Sequence, residues 1–256
     1  MKAMNETGMT FWQHLNDLRK CALKSVLAIL VGFSISYAFH KEIFRVLRLP
    51  FDQAYFNVYG VIPKLINLNL LEAFMVYLKM SMLVGFFIAS PVIFYQFWRF
   101  ISPGLKYNEK KHVVPFVFLA TLFFIGGALF GYYFVFPQGF EFFLSVTKGE
   151  DIDTTIQMEQ YYKLAAWMLM GFGLTFEGPL ILLYLVFFRI LSTAQLLKGW
   201  RGAMVGILVI SAVVTPTPDI GTMLMMALPL MAMYGLTIIF SLFINRKNKN
   251  LPVKVD

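Results

Sequence analysis

Apolar residues in this chain come in blocks, at roughly 22–39, 73–98, 113–136, 164–188, 203–214 and 220–244. A soluble amphipathic helix shows an apolar stripe at three- and four-residue spacing and a half-buried strand alternates by two; blocks apolar on every side belong in lipid or a deep core. The uncharged run Leu164–Phe188 has 25 residues, enough at about 1.5 Å per residue to cross a hydrocarbon layer of roughly 30 Å. The pattern predicts an all-α integral membrane protein with six transmembrane helices in a single domain over residues 1–256. The fifth block, Ala203–Val214, reaches only about 18 Å before TPTPD stops it. The sixth carries Pro229 and a run of methionines, so helices five and six are expected to be short or kinked.

The polar segments carry their own periodicities. TFWQHLNDLRKC reads as an amphipathic helix over 10–21, with Thr10 as cap and Phe11, Leu15, Leu18 and Ala22 on one face, from which Asp17 and Arg19 project near the membrane surface. KEIFRVLRLPF, ending at Pro50 and Phe51, has helical spacing too, and places Ile43, Phe44 and Leu47 in the headgroup layer. Pro91 and Pro179 fall inside apolar blocks as kink positions, Pro103 and Gly104 form a turn after the second block, and Pro216 and Asp219 sit in the last outer loop. The segment Gln138–Gln160, with Asp151 and Asp153, reads as a solvated connection.

Orientation follows from Lys and Arg. The tails and the second and fourth loops hold Lys2, Arg19, Lys20, Lys24, Arg99, Lys110, Lys111, Arg189, Lys198, Arg201 and Arg246 among others, so both termini are expected in the cytoplasm. The start of the chain is too long and too acidic for a signal-peptide n-region, and no small-residue cleavage motif follows Tyr37, so the first helix is expected to stay.

Composition agrees: the chain is 59% hydrophobic and 14% charged, with a mean hydropathy of +0.69. The net charge of +8 lies in short clusters between apolar blocks, which argues for membrane topology and against nucleic acid. Cys21 is the single cysteine, so no intramolecular disulfide forms. His14, His40 and His112 lack partners at metal-ligand spacing, and no nucleotide-binding or intramembrane-protease pattern is present. No cofactor is expected, and the chain reads as a non-enzyme.

Candidate chemistry is confined to a few charges. Glu177 lies inside Leu164–Phe188, where an ionisable group costs on the order of 3 kcal/mol on insertion scales. It is either a neutral carboxyl hydrogen-bonded within the bundle or the lining of a polar groove. Lys79 lies in the second block at a different depth and snorkels outward. Asp17 and Glu109 flank the membrane on the cytoplasmic side. Each is either a solvated surface charge or a docking point for a guanidinium, which carboxylates hold in bidentate fashion.

HLNDLRK, QFWRFISPGLKYNEKK, FGLTFEGP and TPTPD, in that order, resemble the TatC family of twin-arginine translocase subunits. The chain departs from the family pattern at Asp17, where glutamate is usual, at Gly202, where proline is common, and at Met223, where glutamine is expected. The resemblance implies a concave, glove-like bundle of six helices in the cytoplasmic (inner) membrane that binds twin-arginine signal peptides of folded precursors. It assigns that binding to Asp17, Leu18, Arg19, Gln96, Trp98, Phe100, Pro103, Gly104, Leu105 and Glu109, with Glu177 as an intramembrane polar site acting later. It also implies homo-oligomers, single-span TatA and TatB-like partners, and transport driven by the proton-motive force. The alternative is a proton-coupled small-solute transporter in which Glu177 loads and releases protons; the two halves show none of the repeat architecture common in carriers.

Overall fold

Within lipid a chain must satisfy its backbone N–H and C=O groups internally, which a helix does locally. The computed structural model of the protein accordingly builds almost all of its described residues, 11–101, 113–148, 156–188, 190–215 and 220–249, as helix. In chain order these are α1 (Phe11–Ala38), α2 (His40–Tyr59), α3 (Glu72–Ile101), α4 (Val113–Phe130), a π-helical turn (Gly131–Val135), α5 (Phe136–Thr147), α6 (Met158–Phe187), α7 (Thr193–Val214) and α8 (Ile220–Lys249). Two short strands, β1 (Leu65–Ile66) and β2 (Ile156–Gln157), pair in parallel, Leu65 with Ile156 and Ile66 with Gln157. Among the described residues, six helical stretches are long and apolar enough to cross a membrane: His14–Ala38, Glu72–Ile101, Val113–Val146, Met158–Phe187, Thr193–Val214 and Ile220–Phe243.

Several helices run past the apolar blocks. The segment expected to form a separate surface helix over 10–21 is continuous with the first span in α1, because no glycine or proline interrupts the chain from Phe11 to Val31. The third span does not end near Phe136. The Phe136 N–H donates to the Gly131 carbonyl, five residues back, and Pro137 takes an early position of α5, where its missing N–H costs little. The helix then continues to Thr147, through residues expected to be loop. α7 starts ten residues before the fifth apolar block, at Thr193. A capping box sets that start: Ser192 Oγ accepts from the Gln195 N–H at 3.2 Å, and Gln195 Oε1 accepts from the Ser192 N–H at 2.8 Å. At 22 residues it remains the shortest of the six spans.

The described residues fall into two compact units, Met1–His40 with Ser81–Thr121, and Lys41–Met80 with Leu122–Asp256. In the first, α1 meets α3 at Gly32 and Gly85. A Cβ added to Gly32 would lie 2.4 Å from the Gly85 carbonyl oxygen, so only glycine admits this backbone contact. Pro91, inside α3, leaves the Phe87 carbonyl without its helical donor, and the Ser90 hydroxyl donates to it at 2.7 Å.

In the second unit, Leu47 of α2, expected to face the headgroup layer, packs against protein instead. Leu47 is 6% exposed, and Pro50, Phe51 and Ala54 are buried beside it. Three tyrosines hold this helix by its carbonyls: Tyr162 donates to Phe44 at 3.0 Å, Tyr132 to Val46 at 2.5 Å and Tyr161 to Leu47 at 2.6 Å. Val46 is the residue four before Pro50, whose ring supplies no N–H, so the Tyr132 hydroxyl fills a vacancy that the proline makes. Close packing recurs between α4 and α6, where a Cβ on Gly127 would lie 2.7 Å from the Phe172 carbonyl oxygen.

Glu72 joins the start of its own span to the start of α6. Its carboxylate accepts from the Leu68 N–H at 2.7 Å, before its own helix, and from the Glu159 N–H at 3.0 Å, in the first turn of α6. Glu159 in turn pairs with Lys79 at 2.5 Å, the partner that takes the place of simple snorkelling. α7 and α8 are tied by the Tyr234 hydroxyl, donating to the Leu196 carbonyl at 2.9 Å, and by Ser241, donating to Thr193 Oγ1 at 2.6 Å.

Candidate functional site

Two helix faces within the first unit form a pocket of about 210 Å³. From α1 come Asp17, Lys20, Cys21 and Lys24, one face by three- and four-residue spacing; from α3 come Gln96, Arg99 and Phe100, one face by the same rule. Because α1 is continuous through this region, Asp17 is held on the helix that goes on to cross the membrane. Asp17 lies 4.0 Å from Lys20, and both side chains are largely exposed, a contact that solvent screens heavily. Phe100 stacks on His14 with ring centroids 4.3 Å apart.

Gln96 is the unusual member. It is 7% exposed, and its Oε1 has no hydrogen-bond partner among the described residues. A buried amide oxygen left without a donor costs about 1–3 kcal/mol. The pocket is thus lined by one carboxylate, Asp17, and the amide residue Gln96, beside three cationic side chains.

The other residues singled out in the sequence are distributed differently. Trp98 is buried and packs on Phe116 at 5.6 Å, so it supports α3 and does not line the pocket. Leu18 and Arg19 are exposed on α1 and are not among the residues that line it. Pro103, Gly104, Leu105, Glu109, Pro216 and Asp219 lie outside the described residues. Glu177 belongs to the second unit. It is 8% exposed on α6, and its Oε1 has no partner among the described residues. Pro179, two residues on, is buried, and its carbonyl accepts from the Thr237 hydroxyl of α8 at 3.2 Å. The sequence reading uses Lys20, Lys24 and Arg99 only as topology signals; helical spacing puts Lys20 and Lys24 on the face of Asp17 and Arg99 on the face of Gln96, and the packing of α1 on α3 joins the two faces.

A family profile described as Sec-independent protein translocase protein (TatC) matches residues 13–229. The chain belongs to the TatC family. It is 41% identical over 234 residues to the Sec-independent protein translocase protein TatC of Desulforapulum autotrophicum, covering 91% of this chain and 84% of that one. It is 34% identical over 244 residues to the TatC of Aquifex aeolicus, covering 95% of this chain and 99% of that one. A crystal structure of the twin arginine translocase receptor TatC in DDM superposes with a TM-score of 0.74 at 34% identity, over 89% of this chain and 99% of that chain. A second crystal structure of the same receptor gives 0.72 at 33% identity, over 90% and 98%. With six apolar helices of this length, this TatC-family chain is a multi-pass membrane protein.

Proposed function

We propose that the chain is the receptor subunit of a twin-arginine translocation system, binding signal peptides of folded precursors at the pocket between α1 and α3 and engaging single-span TatA and TatB-like partners. The observation that carries this reading is the convergence in one pocket of Asp17 and Gln96, a buried amide whose Oε1 has no donor among the described residues. A guanidinium presents five N–H donors in a planar fork and binds best where acceptors are already fixed. Phe100 offers a ring face beside them. Asp17 reaches one methylene less far than a glutamate, which places the guanidinium closer to the α1 backbone.

Lys20, Lys24 and Arg99 share the pocket with Asp17, and the reading assigns a second carboxylate, Glu109, ten residues beyond Arg99 in the sequence. Both termini are placed in the cytoplasm and the protein in the cytoplasmic membrane, following the Lys and Arg distribution. Transport draws on the proton-motive force; the subunit itself carries out no covalent chemistry, uses no cofactor, binds no nucleic acid and works as a homo-oligomer with its partners.

Glu177 is assigned a later step, as a polar site for an apolar segment or partner helix, because a buried carboxyl oxygen without a donor gains a hydrogen bond when one arrives.

The test is photo-crosslinking of membrane-embedded protein to signal peptides bearing two arginines or two lysines. Arginine selectivity that falls about tenfold or more in Asp17→Ala and in Glu109→Ala is expected from the loss of a charge-assisted bond. Unchanged crosslinking in both variants overturns the assignment. For Glu177, export in Glu177→Gln should exceed that in Glu177→Ala, because the amide keeps an acceptor; equal loss points to proton chemistry instead.

A further inference from the structure

Between α2 and α3 the chain turns a set of apolar side chains outward. Val61, Ile62, Leu68 and Leu71 are all more than half exposed, and Leu70 is 100% exposed. The backbone that carries them is fixed at several points. Arg48 donates to the Pro63 carbonyl, Leu65 pairs with Ile156, and the Glu72 carboxylate accepts from the Leu68 N–H at 2.7 Å. Apolar side chains held outward together on a fixed backbone mark a contact surface.

Continuity and depth both identify the contact as lipid. Leu71, Phe74, Met75 and Leu78 follow one another by three- and four-residue steps along one face of α3, and Phe74 and Met75 are exposed. On a membrane-spanning helix that face meets acyl chains, and the exposed segment leads directly into it. α3 has 30 residues, about 45 Å of helix against roughly 30 Å of hydrocarbon, so its first turns and the segment before them reach the headgroup layer. The exposed Lys79–Glu159 pair, two turns into α3, sits at the edge of that layer, with the lysine stem reaching outward.

We infer that residues 61–71 are an interfacial anchor, lying in the headgroup layer of the leaflet that α3 and α6 enter. Ile62, Leu68 and Leu70 insert toward the acyl chains, and the exposed Lys64 meets lipid phosphate. Leu47, expected in that layer, is buried, and the segment after α2 takes its place. Through Glu72 and the β1–β2 pair the anchor is tied to the starts of α3 and α6, and so sets the depth at which both enter the bilayer. This placement is independent of the pocket between α1 and α3.

The experiment attaches bimane at Leu68→Cys or Leu70→Cys, one at a time, in the full chain with Cys21→Ser, reconstituted in phosphatidylcholine vesicles. Both positions are more than half exposed, so the label leaves the packing intact. Bromine near the ester end of the acyl chains should quench both labels about twofold or more better than bromine near the methyl end, as insertion of roughly 5–10 Å requires. Leu174→Cys, exposed in the middle of α6, should show the reverse order. Stronger quenching of the Leu68 and Leu70 labels by the deep bromine would overturn the headgroup placement. Quenching by iodide supplied on both sides of the membrane, with neither brominated lipid effective, would put the segment in water and overturn the anchor. Protection from iodide and lipid alike would show a protein cover, such as a second copy of the chain, and would overturn it too.

Discussion

The Tyr132 hydroxyl and Pro50 form a pair whose energetics can be worked out in advance. Pro50 lies inside α2 and offers no N–H to the Val46 carbonyl; Tyr132 donates to that oxygen at 2.5 Å. Removing the hydroxyl in Tyr132→Phe leaves the carbonyl with neither donor, a loss of about 1–3 kcal/mol where water is excluded. Replacing Pro50 with alanine restores a helical N–H at that position, so Tyr132→Phe in the Pro50→Ala background should cost only the usual net of roughly 1 kcal/mol or less. The coupling between the two changes should therefore be about 1 kcal/mol. Tyr161 and Tyr162 are the internal reference, since the carbonyls they reach, Leu47 and Phe44, precede by four the non-proline residues Phe51 and Arg48. Tyr161→Phe and Tyr162→Phe should each cost less than Tyr132→Phe. The assay is a double-mutant cycle on unfolding free energy in mixed detergent micelles. An identical cost for Tyr132→Phe with and without Pro50 would refute the argument.

Three further outcomes are expected. Gly32→Ala forces a Cβ to 2.4 Å from the Gly85 carbonyl oxygen and should lower stability by about 1–3 kcal/mol, whereas Gly202→Ala, with open space around the added methyl, should be neutral or slightly stabilising in thermal denaturation. Ser192→Ala removes the α7 cap and should cost about 1 kcal/mol in the same measurement. Glu72→Ala releases the N–H groups of Leu68 and Glu159, and hydrogen exchange should accelerate at both sites while the middle of α3 stays protected.

Much of this protein is written locally. Blocks such as Leu164–Phe188 must be helical in lipid whatever they pack against, because no water is present to satisfy the backbone. The six spans and the family-specific motifs were legible for that reason. The exact extents were less so: α7 begins with Ser192 and Gln195, a cap that polar composition hid behind the later apolar block. Likewise α5 continues through residues that read as loop, because a π-helical turn accommodates Pro137.

Contacts between distant segments had no local signature. The acidic and amide acceptors Asp17 and Gln96 are 79 positions apart in the chain, and only the packing of α1 on α3 brings them to one pocket together with Lys20, Lys24 and Arg99. The Lys79 side chain finds Glu159, and Glu72 finds the start of α6, through the same kind of long-range closure. By itself the sequence determined that this chain spans a membrane six times, as a member of the TatC family. The tertiary structure decided which charges share a pocket and which carbonyl a proline leaves for a tyrosine, because helical propensity and lipid solvation act residue by residue whereas a hydrogen bond needs two groups at one place.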